Sequence, residues 1–335
     1  MSFDRLQEKI DELQNPTVAG LDPAIGHIPP QILERHIEEH GETLWAAAAA
    51  VFEFNVVLIN ALSDIVPAVK LQSAYYETLG AEGIVTLGMT CKYAKSQGMY
   101  VIIDGKRNDI GSTVEAYSAA YLGAVKIGET EIRPFDVDAL TVNAYLGSDG
   151  IKPFIDSAEK YDKAIFALVK TSNPSSGELQ DKFIADDDIR AKTARTGGPR
   201  AWETELSEAR TGETRIGGRV YTAVGDLMEE ISLRTIGKYG FTRVGAVVGA
   251  TYPEEATYLR DRLRNTFFLV PGYGAQGGSA AEAARAFDKN GRGAIVNSSR
   301  AIIAAWKKTG GDYAVAAREE ALRMRDELRR EIYDS

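Results

Sequence analysis

Residues 100–111 read YVIIDGKRNDIG: a short apolar run, then a cluster of charge, then a turn into a helical pattern. The run is about as long as a buried strand, and its polar residues gather at the C-terminal end. Similar runs occur at 17–22, 66–72, 139–144, 164–171, 244–249, 267–270 and 294–297. Most lead into helix-like segments such as 253–264 (PEEATYLRDRLR) or 280–287. With 100–104 they make eight strands in βα alternation, which predicts parallel strands and right-handed crossovers. Eight is also the number that closes a (β/α)8 TIM barrel, so the expected fold class is α/β.

Such a barrel takes about 250 residues, leaving roughly 85 of the chain to explain. A helical N-terminus and a C-terminal helix over Tyr313–Tyr333 account for part. The rest lies at 186–218, between the fifth and sixth strands, with seven acidic residues, six basic residues, five glycines and one aromatic, Trp202. That composition buries little apolar surface and reads as a mobile polar insertion within a single barrel domain spanning 1–335. Its plain reading is a surface excursion; its functional reading is a lid over the active site.

The chain carries a net charge of −9. General nucleic-acid or anionic-membrane binding needs basic surface, so both are excluded as primary functions. One cysteine, Cys91, rules out an intramolecular disulfide framework and multi-cysteine metal sites, and fits a reducing cytosol. The first ten residues, MSFDRLQEKI, are polar with helical spacing and do not read as a signal peptide, so the expected location is cytoplasmic. Residues 44–62 are apolar, but they are alanine-rich and interrupted by Glu53, Asn55 and Asn60. They read as a core helix rather than a membrane span, which needs about 20 predominantly apolar residues.

Barrel active sites sit at the C-terminal ends of the strands. The first strand ends at Asp22, and the second carries Lys70. The third ends in Asp104, Lys106 and Asp109, the fourth leads into Asn143, and the fifth into Lys170 and Ser172. Asp104 and Lys106 are two apart, so in extended chain they share a face. A lysine flanked by carboxylates keeps its proton, which suits Lys106 to proton donation and not to Schiff-base chemistry. A solvated loop of mixed charge is the bland alternative for this segment.

After the seventh strand, residues 270–278 read VPGYGAQGG, formally GxGxxG between a strand and a helix. Only about 60 residues follow Gly277, too few for the rest of a dinucleotide-binding fold, and no acidic residue closes the next strand. Barrel loops after strands seven and eight commonly build a phosphate site from backbone N–H groups. Arg300, at the end of the eighth strand, would add a charge-assisted contact. A plain glycine turn beside a surface arginine is the alternative. The three histidines are His27, His36 and His40. The last two have helical spacing but no evident third ligand, and read as a surface face. Cys91 reads as core, and no acidic cluster demands a metal.

These stretches together resemble orotidine-5′-phosphate decarboxylase, in its longer bacterial-type (type 2) subgroup. The resemblance rests on GLDP at 20–23, VKLQSAYYE at 69–77, DGKRNDIGST at 104–113, YLG at 145–147, TSNP at 171–174, VPGYGAQGG at 270–278 and Arg300. It covers most of the chain outside 186–218. It implies cofactor-free decarboxylation of orotidine 5′-monophosphate to UMP and carbon dioxide, with no metal. The chemistry would fall to Lys70, Asp104, Lys106 and Asp109, with Lys106 protonating a C6 carbanion. Asp22 and Lys70 would bind ribose hydroxyls, and Ser172 and Gln276 the pyrimidine. Gln276, Gly277, Gly278 and Arg300 would take the phosphate end, and Pro271 would join the binding wall. The resemblance also implies a homodimer in which Asp109, Ile110 and Thr113 reach the partner's site. Two alternatives stand beside it: sugar-phosphate chemistry through a metal enediolate, which expects an acidic ligand in place of Ser172 or Lys70, and a catalytically dead binding barrel.

Overall fold

The computed structural model describes residues 1–184, 218–274 and 277–333. The expected insertion at 186–218, apart from Gly218, lies outside the described residues, as does Gln276. Eight strands form the barrel: β1 (Thr17–Leu21), β2 (Ala68–Gln72), β3 (Tyr100–Arg107), β4 (Ala139–Val142), β5 (Ala164–Lys170), β6 (Val244–Val248), β7 (Phe268–Val270) and β8 (Ala294–Ser298). Each pairs in parallel with its sequence neighbours, and β8 pairs with β1 to close the ring. The expected eight-stranded barrel is the observed one. The main shift in bounds is β3, which continues past Asp104 to Arg107.

Period-two alternation sorts the barrel side chains into two sets. Ala19, Val69, Ile103, Leu140, Ala167, Val248, Val270 and Val296 face outward and belong to the large cluster shared with the surrounding helices. Val18, Ala68, Tyr100, Ile102, Ala139, Phe166, Val247, Leu269 and Ile295 have the opposite parity and fill the interior. The interior is apolar at the strand starts, where helix Ser2–Leu13 closes that end. Its Phe3, Leu6 and Ile10 join the inner cluster. The Phe3 ring lies 4.9 Å from that of Phe166 and 5.0 Å from that of Phe267. The N-terminal helix is therefore a plug, and the open end is the opposite one.

Helix Leu44–Leu62 is long and apolar enough to cross a membrane by composition alone. Here Ala46, Ala50, Val51, Phe54, Leu58, Ile59 and Leu62 are buried in the large cluster, and Thr43 caps its start by accepting from the Ala46 N–H at 3.1 Å. It is a core helix, as its sequence suggests. Cys91 is buried in the same cluster, where burial pushes its thiol up to about 12 and leaves it inert. The C-terminal helix spans Tyr313–Tyr333 as expected and packs against Leu44–Leu62. A small antiparallel hairpin, Val125–Ile127 with Thr130–Ile132, has no counterpart among the sequence expectations.

Candidate active site

Following the inward parity toward the strand ends turns the interior from apolar to polar. Past Val18 comes Asp22; past Ala68 come Lys70 and Gln72; past Ile102 comes Asp104; past Ala139 comes Thr141; past Ile295 comes Asn297. All of these polar residues line one cavity of about 850 Å³ at the C-terminal mouth, within the usual size of small-molecule sites. Leu168, Val247, Leu269 and Pro271 complete its floor and wall. Lys106 joins them from the end of β3, and from the loops and short helices beyond the strands come His27, Tyr75, Ser172, Gln180, Gly272, Tyr273, Ser299 and Arg300.

Four charged groups alternate in sign across this mouth. Lys70 Nζ lies 3.7 Å from Asp22 Oδ1 and 3.1 Å from Asp104 Oδ2, and Lys106 Nζ lies 2.6 Å from Asp104 Oδ1. Asp104 also accepts from Gln72 Nε2 at 2.9 Å and from Thr141 Oγ1 at 2.8 Å. Its side chain is only 13% exposed. Burial alone would raise its pKa, but Lys70, Lys106 and the hydrogen bonds outweigh it and hold the carboxyl well below the usual carboxylate range. Lys70 is 5% exposed; desolvation works against its charge, yet Asp22 and Asp104 raise its pKa above the ordinary value. Asp104 and Lys70 are thus a pair of fixed opposite charges at neutral pH.

Lys106 reaches Asp104, though not by simple alternation. The β3–β4 register runs from Ile103↔Leu140 to Arg107↔Val142, so β3 carries extra residues there and bulges. Within the bulge Lys106 adopts φ 46°, a left-handed conformation that costs a non-glycine residue about 1–2 kcal/mol. Its N–H donates to Thr141 Oγ1 at 2.9 Å, which pins the bulge to the next strand.

On the far side of the mouth, Ser172 is held where Gly249 leaves space: a Cβ at 249 would sit 2.8 Å from Ser172 Cα and 2.9 Å from its backbone nitrogen. Gln180 fixes the start of the same loop, accepting from the Thr171 N–H at 3.0 Å and donating to Thr171 Oγ1 at 2.8 Å. Among the described residues, Asp22 Oδ1 and Asn297 Oδ1 are buried in the cavity wall without a hydrogen bond, Lys70 Nζ standing 3.7 Å from the former. A buried acceptor left without a donor costs about 1–3 kcal/mol, so both suit ligand hydroxyl or N–H groups.

Asp22, Lys70, Asp104, Lys106, Ser172, Pro271 and Arg300, all expected from sequence, meet in this one cavity. Asp109, Ile110, Thr113, Gly277 and Gly278 do not line it. Asp109 instead accepts from the Ile110 N–H at 2.8 Å. The amides of Gly277 and Gly278 are engaged within their loop, donating to the Gly274 and Gly272 carbonyls at 3.0 and 3.1 Å. Gln72, Thr141 and Asn297 were missed by the sequence reading, although the parity that selects Lys70 and Asp104 also selects them. His27 and Gln180 follow from no periodicity. For His36 and His40 the structure supplies the third donor that the sequence reading lacked: Glu39 lies with them in a partly exposed group outside the cavity.

Comparison with known proteins places the chain in a consistent setting. A family model described as orotidine 5′-phosphate decarboxylase / HUMPS family matches residues 52–310. An orotidine 5′-phosphate decarboxylase of Caldicellulosiruptor bescii is 38% identical over 304 residues, 91% of this chain and 90% of that protein. One from Rhodopirellula baltica is 40% identical, covering 90% of this chain and 87% of that protein. The structure of Leishmania donovani OMP decarboxylase superposes with a TM-score of 0.65 at 26% identity, covering 97% of this chain and 99% of that one.

Proposed function

The chain belongs to the orotidine 5′-phosphate decarboxylase / HUMPS family, and from that premise we propose that it is a carboxy-lyase converting orotidine 5′-monophosphate to UMP and carbon dioxide for pyrimidine biosynthesis. The observation that carries this reading is the alternating Asp22–Lys70–Asp104–Lys106 array at the barrel mouth.

In the proposed reaction the bond between pyrimidine C6 and its carboxylate breaks, carbon dioxide departs, and the electron pair stays on C6. No ring atom accepts that charge easily, so the barrel must. An ammonium about 4 Å away is worth roughly 4 kcal/mol at an effective dielectric near 20, and more where water is excluded. Lys106 stabilises the developing carbanion and then donates its proton to C6. Asp104 holds Lys106 in place and presents negative charge near the departing carboxylate. Lys70 neutralises Asp104 from behind. No metal or cofactor has a part in this sequence of steps. Asp22 and Lys70 take ribose hydroxyls, Ser172 and Gln276 the pyrimidine, and Arg300 the phosphate, with Gln276, Gly277 and Gly278 of the loop; binding there offsets the cost of organising the reacting groups. The family's other branch, sugar-phosphate chemistry through a metal, expects an acidic ligand where Lys70 or Ser172 stands. A chelator is therefore expected to leave turnover unchanged.

The proposal extends to a homodimer in which Asp109, Ile110 and Thr113 complete the partner's site. What supports it is exposed apolar surface just past the ends of β3 and β4, where Ile110 is 56% exposed, Tyr145 80% exposed and Leu146 exposed as well. Apolar side chains of this size at the end of adjacent strands suit an isologous interface. The test is complementation. Lys106→Ala and Asp109→Ala are each expected to be nearly inactive as homodimers. In a hybrid, one site carries both defects and the other carries neither. Unfolding and refolding an equal mixture should therefore restore about a quarter of the wild-type activity. A mixture no more active than its components would contradict shared sites.

A further inference from the structure

The loop after β7 does not stand alone. Tyr273, 5% exposed and lining the cavity, donates from Oη to Glu327 Oε2 at 2.5 Å. Glu327 lies on the C-terminal helix Tyr313–Tyr333, 54 residues further along the chain and outside the cavity lining. Its other oxygen accepts from Arg323 at 2.5 Å, and Arg323 is itself held by Glu320 at 2.7 Å. The acceptor is therefore fixed on the helix surface before Tyr273 reaches it. Two further elements of the same end of the cavity rest on this helix. One is the short helix Arg300–Ile303, which begins with the cavity-lining Arg300; the other is helix Ala280–Ala284, which follows the glycine loop.

We propose that the Tyr273–Glu327 hydrogen bond makes the C-terminal helix the platform that holds the anion end of the cavity in shape, with Glu327 a positioning residue for the phosphate of the bound nucleotide. The inference rests on the reading of that end as a 5′-phosphate site. A phenol donating to a carboxylate is a charge-assisted bond, and it fixes the loop residue between Gly272 and Gly274, whose φ values of 99° and 69° lie in the left-handed region that glycine adopts without steric cost. Without the bond, the loop would sample arrangements in which its contacts to a phosphate are incomplete, while the contacts of Asp22, Lys70 and Ser172 to ribose and base at the other strand ends are untouched.

The experiment compares UMP with uridine, titrated by ligand-observed NMR, which reads millimolar affinities. The wild type should bind UMP more tightly than uridine. Glu327→Ala should weaken UMP about tenfold, the loss expected for one hydrogen bond to a charged group, and weaken uridine clearly less, since uridine lacks the phosphate and keeps the contacts of Asp22, Lys70 and Ser172. Tyr273→Phe should do the same, the double variant should be no worse than either single one, and Glu327→Gln, which keeps an acceptor, should recover most of the affinity. Equal weakening of UMP and uridine, or no change in UMP, would overturn the inference. A wild type that binds uridine as well as UMP would overturn the phosphate-site reading itself and this inference with it. Thermal midpoints of the variants guard against misfolding, and Glu327, a third exposed, is a mild site for substitution.

Discussion

Lys106→Ala is expected to lower turnover of orotidine 5′-monophosphate by at least about 10³-fold, combining the loss of a proton donor with the loss of a preorganised charge. The fold should survive the change. Lys106 is nearly half exposed, and Asp104 keeps Lys70, Gln72 and Thr141 as partners without it. Lys106→Gly sharpens the test, because glycine accepts φ 46° without the steric cost that lysine bears. Its thermal midpoint should equal or exceed that of the alanine variant, while its activity is equally lost. Activity lost together with a collapsed midpoint would point to structure. Full turnover in either variant would contradict the proton-donor assignment.

Asp104→Asn should damage both stability and turnover. The substitution removes the carboxylate against which buried Lys70 is neutralised, leaving Asp22 at 3.7 Å as its remaining acidic partner. Breaking a buried pair by deleting one partner costs about 3 kcal/mol or more, and the loss of alignment of Lys106 should lower turnover by at least about 10²-fold. The pH dependence carries a definite sign. Asp104 has a folded-state pKa below its unfolded value, so its stabilisation is present above about pH 4 and fades as pH falls toward the folded value. Lys70 has a raised folded-state pKa, so its contribution is present below about pH 10 and fades as pH rises through the folded value. The stability gap between wild type and Asp104→Asn, read from denaturant midpoints, should be flat from about pH 5 to 9 and narrow below about pH 4. A gap that widened in acid would contradict the charge assignment.

Much of the barrel is legible in the sequence because each strand is a run of apolar residues whose alternate members face inward or outward. The same parity places Asp22, Lys70 and Asp104 at the mouth, and applied to every strand it also yields Gln72, Thr141 and Asn297. Lys106 is different. Spacing of two correctly pairs it with Asp104, but the pairing arises from a bulge and a left-handed residue that no periodicity encodes. The Thr141 hydroxyl that pins the bulge is on another strand, so only the folded register reveals it. His27 and Gln180 enter the cavity from loops, whose paths depend on tertiary packing. The Tyr273–Glu327 link joins residues 54 apart and is likewise invisible before folding. For Gly277 and Gly278 the motif indicates a loop that binds phosphate, whereas the structure shows their amides engaged within that loop.

The most direct test is to incubate the purified, chelator-treated protein with orotidine 5′-monophosphate in deuterated water and examine the product by NMR and mass spectrometry. The account expects UMP and carbon dioxide in equal amounts, with one deuterium at C6 for each turnover and none elsewhere on the ring, and no such product from Lys106→Ala. Absence of UMP, or its formation only after a metal ion is added back, would contradict decarboxylation by the Asp22–Lys70–Asp104–Lys106 array.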